Sequence, residues 1–498
     1  MSAGRPSPLL WLQRRVAWIP APLRRLARAL LGARLEGAGA GADGVLPAGT
    51  PGIDDWATPL VGVAAASGID WPASSGNHRL STDPTAPGGT GSTLRCLLVT
   101  DSIDASGMDE FVGFLARRLR RYGIVTAVMI GSDDTARGIG RLGRALAAEG
   151  VEVADPGRDA GAAWMREWRP DVVSVHGSAD WPLEAAADLA VPVVETLHGM
   201  HNLFGADPAD VVRRRDRLAG LVSVSEMVRL QYLALDHDLD PNRIVTIPNG
   251  VDSHRVRPVA RDLAREALGL TDEFLFVSLA RHSLQKNGFA LASAFGEVAA
   301  AVPGAHLLIC GRSDDRSYTG QVVDLKRRMP HGDRLHLRDN TSHVAALLAA
   351  ADAFALDSFF EGWSLSSMEA LASGLPVVIS DVGGAREQLG GRVAKGALVA
   401  NPLGDPLAVD WPSISAARFR PQANRQQLVD AMTGLARGTV PVATRAEIAD
   451  ESLARFDDEL CVRRHAHAVT AAANARPIHL TGDLAVAPGA TEGTTHAG

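Results

Sequence analysis

The feature that most constrains this chain is an alternation of strand and helix patterns that runs, stops at a polar join and starts again. Leu94-Arg-Cys-Leu-Leu-Val-Thr100 reads as a strand, followed by a loop at Ser106-Gly107 and a helix through Phe111, Leu115 and Leu119. Further strands are expected at 124–130, 171–175, 192–197 and 221–224, separated by helical stretches. After Ile244-Val-Thr-Ile-Pro-Asn-Gly-Val-Asp252 comes an Arg-rich join, and strands resume at 274–279, 306–310, 353–356 and 376–380. Such alternation builds a parallel sheet covered by helices. The expected fold class is therefore α/β, as two doubly wound domains facing each other across a cleft.

A length of 498 residues, 46% hydrophobic and 21% charged, suits two sizeable cores with extensions. A formal net charge of −7 argues against a protein coated for nucleic acid, and none is expected as a partner. Cys96, Cys310 and Cys461 are far apart, form no ligand cluster and suit a reducing cytoplasm.

The chain ends differ from its body. Residues 1–36 hold Arg5, Arg14, Arg15, Arg24, Arg25, Arg28 and Arg34, and no acid before Glu36. Leu23, Leu26, Ala27, Leu30 and Leu31 follow helical spacing with arginines opposite, a pattern suited to lying on an anionic membrane. Gln13-Arg14-Arg15 and Pro20 interrupt any signal-peptide core, and no apolar run is long enough to span a bilayer. The expected location is the cytoplasm, with contact at the inner face of the cell membrane. Residues 37–92, rich in Gly, Ala, Pro, Ser and Thr, read as a flexible linker. Domains are expected at 93–255 and 256–425, C-terminal helices at 426–476 and a disordered tail at 477–498. Residues 403–424, with several prolines, read as an irregular insertion.

One glycine pattern is a decoy. Gly138-Ile-Gly140-Arg-Leu-Gly143 has the spacing of a dinucleotide fingerprint, yet it trails the 124–130 strand by a polar interval, whereas the fingerprint needs a tight turn straight off its strand.

The chemistry concentrates in Phe359-Phe360-Glu361-Gly362-Trp363-Ser364-Leu365-Ser366-Ser367-Met368-Glu369-Ala370-Leu371-Ala372-Ser373-Gly374-Leu375-Pro376. Gly362 disfavours helix before Ser364, whereas Leu365, Met368, Leu371 and Ala372 repeat at helical spacing. Glu361 is then on a loop, Glu369 is in a helix, and the helix N-terminus between them suits a diphosphate. Ser366-x-x-Glu369 also fits a simple capping box. With Gly383-Gly384-Ala-Arg-Glu387 downstream, the stretch resembles the donor-site signature of glycosyltransferase family 4, retaining enzymes of the GT-B fold.

That resemblance implies roles for single residues. Arg281 and Lys286, just past a strand, match the basic pair that holds the donor diphosphate. Asn287 departs from the glycine common after that lysine, and this leaves the loop geometry open. Glu369 matches the acceptor of the ribose hydroxyls, and Glu361 stands beside the donor sugar. Ser364 and Leu365 offer main-chain N–H groups to phosphate, and Gly107 falls in the first-domain loop where the family carries two glycines. His198 matches the histidine near the anomeric carbon. His176, also at a strand end, is expected to be structural or on the acceptor side. The implied activity is retaining transfer from a nucleotide-diphosphate sugar to a hydroxyl acceptor, lipid-linked or soluble, with no metal and no cofactor. The expected product is a surface polysaccharide, glycolipid or small glycoside. The rival expectations are a non-catalytic nucleotide-sugar-binding protein and a nucleotide-sugar epimerase.

Overall fold

The computed structural model describes Leu60 and residues 93–485, apart from 105, 134–137, 200, 253–255, 257, 258 and 342. The basic segment 1–36 lies outside the described residues, which all belong to one compact unit, 52–498.

Two parallel sheets organise this unit. The first holds β1 (Leu94–Thr100), β2 (Ile124–Ile130), β3 (Glu152–Ala154), β4 (Val172–Val175), β5 (Val193–Leu197), β6 (Gly220–Ser223) and β7 (Ile244–Thr246), in spatial order β3-β2-β1-β4-β5-β6-β7. The second holds β8 (Phe274–Leu279), β9 (Ala305–Cys310), β10 (Leu335–Arg338), β11 (Ala353–Leu356), β12 (Val377–Ser380) and β13 (Gly396–Val399), in order β10-β9-β8-β11-β12-β13. Central strands such as β1 and β11 are apolar on both faces because helices cover both sides. Cys96 and Leu98 face a core with Phe111 and Leu142, whereas Leu97 and Val99 face one with Trp168 and Trp181.

In each sheet the strand order reverses once, at β1/β4 and at β8/β11. Loops leaving the carboxyl ends at such a switch point diverge and open a crevice where ligands bind. The first domain directs α1 (Gly107–Arg118) out of that crevice and packs α2 (Glu226–Leu235) beyond β6. The second contributes α3 (Gly288–Ala301), α4 (Leu365–Ala372) and α5 (Ala385–Leu389).

Several expectations are corrected. Leu60 is fully buried in the core shared with Val224, Val251 and Leu275, and the rest of the 37–92 stretch lies outside the described residues. The C-terminal helices do not form their own unit. Residues 425–436 pack on the second sheet, whereas α6 (Asp458–Ala473) returns to the first and buries Cys461, Val462, Ala466 and Val469 beside Phe111. The two crossings between domains run side by side, with Val251 N–H donating to Phe456 O at 2.8 Å. The tail is packed through 477–485, where Ile478 is buried against Gly220 and Arg464 donates to Leu484 O and Ala485 O. The proline-rich stretch is partly helical at Trp411–Ala417, capped by Asp410. Gly140 and Gly143 of the decoy let their helix approach Asp104 and Ile103, where a Cβ would collide. The three cysteines are free and buried, and burial pushes each thiol up to about 12. Among the described residues no helix is long and apolar enough to cross a membrane.

Candidate active site

The crevice is built where loops from the two sheets meet. Gly107 and Leu365 are the first residues of α1 and α4, and a Cβ on Gly107 would lie 3.4 Å from Leu365 Cδ1. Two helix N-termini therefore converge, each with main-chain N–H groups left over by its first turn. Ser106 caps α1 in a reciprocal box with Asp109. Ser364 caps α4, its Oγ accepting from Ser367 N–H at 3.3 Å. Ser366 is not the cap, so Glu369 is not the partner in a capping box; it sits inside α4 with its side chain buried.

Gly362 is where the walls touch. A Cβ there would fall 1.8 Å from His198 O, an approach only glycine permits. Behind it, Gly384 N–H donates to Gly362 O at 3.0 Å, and a side chain at Gly384 would strike the Trp363 ring. On the flank, Glu387 accepts from Glu226 N–H, the first residue of α2, at 2.7 Å.

The second-domain wall is charged. Lys286 Nζ lies 2.6 Å from Glu361 Oε1, which also accepts from Ser358 Oγ at 2.6 Å. Glu361 is 7% exposed, so this pair is largely withdrawn from solvent. Arg281 bonds Asp314 and Gln285 Oε1, and Gln285 Nε2 donates to Phe360 O at 3.1 Å. Asn287 keeps the left-handed backbone (φ 54°) that favours glycine at this position. Its amide donates to Asp357 Oδ2 at 3.0 Å and to Gln422 Oε1 at 2.7 Å. Asp357 also accepts from Asn424 at 2.6 Å; burial pushes its carboxyl up to about 8, against the pull of the two amide bonds. The departure from glycine thus preserves the loop and anchors it.

The first-domain wall is neutral. His198 Nε2 and His176 Nδ1 are 2.9 Å apart, and His176 Nε2 is 3.0 Å from Ser174 Oγ. Burial lowers His198 to about 4 and His465, from α6, to about 3; His176 is also held well below its ordinary value. Phe111 sits among the three rings, 5.4 Å from both His198 and His465. His176 is fully buried and so does not face an acceptor.

Sequence reasoning missed the residues that tie the walls together. His201 stacks on Phe360 at 6.0 Å, and Phe204 meets Phe360 at 5.1 Å and Trp411 at 5.7 Å. Loss of water contact and then the Arg281 charge lower the His201 imidazole, with Glu361 opposing. Asp314 was legible only as an acid past a strand end, and Asp357 as one directly after β11. Among the described residues no group of three His, Cys, Asp or Glu is placed to hold a metal ion.

Known proteins match both walls. The profile described as glycosyl transferases group 1 matches residues 260–409, and that of glycosyltransferase family 4 matches 106–255. A D-inositol 3-phosphate glycosyltransferase of Segniliparus rotundus is 30% identical over 241 residues, covering 44% of this chain and 52% of that protein. An Escherichia coli UDP-Gal:alpha-D-GlcNAc-diphosphoundecaprenol alpha-1,3-galactosyltransferase is 32% identical over 240 residues, covering 44% and 60%. The chain thus spans about half the length of the curated relatives it matches. The crystal structure of Anabaena HepE with UDP and glucose superposes with a TM-score of 0.58 at 16% identity, covering 76% of this chain and all of that one. That likeness identifies the two-sheet arrangement as the GT-B fold. With one profile on each side of the crevice, and more than half the chain matched between them, the protein belongs to the group 1 glycosyltransferases of glycosyltransferase family 4.

Proposed function

We propose that the chain transfers a sugar from a nucleotide-diphosphate sugar to a hydroxyl acceptor, with retention of configuration and without a metal ion. The observation that carries this reading is the Lys286–Glu361 pair, three residues before the cap of α4, on the same crevice where the N-termini of α1 and α4 converge. Negative charge grows on the departing diphosphate as the bond to the sugar breaks. Fixed cations and helix N-termini in a partly dry cleft stabilise that charge most at the transition state. In this reading Lys286 leaves or shares Glu361 when the diphosphate arrives, and Arg281 swings from Asp314. The acceptor hydroxyl hydrogen-bonds to the leaving phosphate, attacks from the same face as the sugar–phosphate bond breaks, and passes its proton to the departing phosphate oxygen. No dedicated general base is then needed, which agrees with a His198 ring whose basicity burial lowers.

The acceptors in the relatives' names, D-inositol 3-phosphate and a sugar on diphosphoundecaprenol, both carry phosphate. They support a phosphate-bearing acceptor, soluble or lipid-linked, in glycolipid, surface-glycan or small-glycoside synthesis. The basic segment 1–36 would bring the enzyme to an anionic membrane for the lipid-linked case. Deleting it should abolish sedimentation with anionic liposomes; equal sedimentation of both forms would remove that part of the proposal.

Incubating purified protein with a panel of nucleotide-diphosphate sugars tests the activity. Release of nucleoside diphosphate with one or more donors is expected. Binding without release would indicate a non-catalytic protein, and donor interconversion without acceptor an epimerase. Within the reading, Glu369→Gln should chiefly weaken nucleoside diphosphate binding, and Glu361→Gln chiefly sugar transfer. Equal calorimetric losses in the two variants would refute that division.

A further inference from the structure

The hydrogen-bond chain behind His198 has a definite direction. Ser174 is 2% exposed, and among the described residues its Oγ has His176 Nε2 as its side-chain partner. If Nε2 carried the proton, the serine hydrogen would be stranded without an acceptor in a buried strand, a cost the donating orientation avoids. Ser174 therefore donates, Nε2 of His176 accepts, and the His176 proton resides on Nδ1. That N–H points at His198 Nε2, 2.9 Å away, which must then be a bare acceptor. A neutral imidazole carries one proton, so it resides on His198 Nδ1, which has no hydrogen-bond partner among the described residues.

We propose that His176 is a positioning residue that locks His198 in its Nδ1–H tautomer, leaving the ring edge away from His176 as a neutral hydrogen-bond donor for a donor-sugar or acceptor oxygen. The groups around the pair sustain this arrangement. Phe111 packs against both rings. His465 from α6 is itself held neutral by burial, and its Nε2 has no hydrogen-bond partner among the described residues. His201, in the loop after β5, is a further titratable neighbour of His198, and the charges of Arg281 and Glu361 act on it. A charged His198 would lose the acceptor that His176 requires, so the fixed tautomer and the neutral wall support each other. The consequence for turnover rests on the proposed transfer reaction; the tautomer does not.

Long-range proton–nitrogen spectra of the full chain labelled with 15N-histidine at pH 7 test this, with His198 assigned from His198→Gln. In the native protein His198 should be neutral with its proton on Nδ1. His176→Asn, whose amide N–H replaces Nδ1–H, should preserve that signature and most of the turnover. His176→Phe keeps an aromatic ring against Phe111 but no donor. It should move half or more of the proton to Nε2 and lower kcat in proportion to the Nδ1–H population that remains, by about twofold to tenfold, with KM for the donor little changed. Should His176→Phe not fold, Ser174→Ala carries the same test, because without the serine donor both tautomers become populated. A native His198 protonated on Nε2, or a tautomer unmoved in His176→Phe or, where Ser174→Ala stands in for it, in that variant, would overturn the proposal. A confirmed tautomer in a protein that turns over no donor would instead defeat the transfer reading alone.

Discussion

The two walls of the crevice solve opposite electrostatic problems. The first-domain wall buries His176, His198 and His465 around Phe111 and keeps them uncharged. The second-domain wall gathers Lys286, Glu361, Arg281 and Asp314 in compensated pairs. The contrast suits a substrate that is itself divided, with a dianionic end needing cations and a sugar end needing oriented hydrogen bonds without charge. The walls are joined where His198 O rests on Gly362, so their spacing is set by main chain rather than by long side chains.

Breaking that joint should have the largest effect. Gly362→Ala puts a Cβ 1.8 Å from His198 O, which forces the walls apart by an ångström or so. Misplacement of that size costs about a hundredfold in rate. Initial rates on folded variant, checked by circular dichroism, would show it, and near-native turnover would mean the walls need not be in register.

The walls should also respond to pH in opposite senses. His198 and His465 have folded values near 4 and 3, below the ordinary 6.5, so the unfolded chain binds protons that the folded one refuses. Stability from these groups is present above 6.5 and is lost as the pH falls toward 4. Asp357 behaves oppositely: its folded value near 8 lies above the ordinary 3.8, so the folded state holds a proton that the unfolded chain releases. Its contribution is intact below 3.8 and is lost as the pH rises toward 8. Each group contributes a slope of about 1.4 kcal/mol per pH unit within its window. Urea unfolding of native protein and Asp357→Asn from pH 4 to 8 should show the variant gaining relative stability as pH rises. Parallel curves would place a charged carboxylate at Asp357.

The smallest effect sharpens the α4 terminus. Ser364→Ala should cost about 1 kcal/mol, a typical loss for an N-cap, whereas Ser366→Ala should be near neutral in thermal melts. Equal losses would restore Ser366 as a cap.

How legible all this was in the sequence follows from burial and from distance along the chain. The expected strands coincide with the interiors of both sheets, whereas β3, β7, β10 and β13 were not foreseen as strands. Those four are the sheet edges. They are three or four residues long and no more than half of the residues in each are buried, so each carries only a short apolar signal. In the site, Glu361, Glu369, Lys286 and Arg281 were visible because their spacing around a strand end and a helix start is local. Pairings were not: Lys286 meets Glu361 across 75 residues and Arg281 meets Asp314 across 33. Strand order decides such contacts, and no local pattern states it. The aromatic contacts of Phe204, Phe360 and Trp411 were hidden for the same reason, since they join a first-domain loop to the proline-rich stretch.

Calorimetric titration of nucleoside diphosphate into native protein, Lys286→Ala and His198→Ala tests the division of labour most directly. One charge-assisted hydrogen bond is worth roughly 1.5–3 kcal/mol, so Lys286→Ala should weaken diphosphate binding by about tenfold or more. His198→Ala should leave that affinity within about twofold while lowering sugar transfer. If Lys286→Ala binds the diphosphate with native affinity, the charged wall does not grip it, and if His198→Ala weakens it as much as Lys286→Ala does, the walls do not divide the substrate; either result contradicts the account.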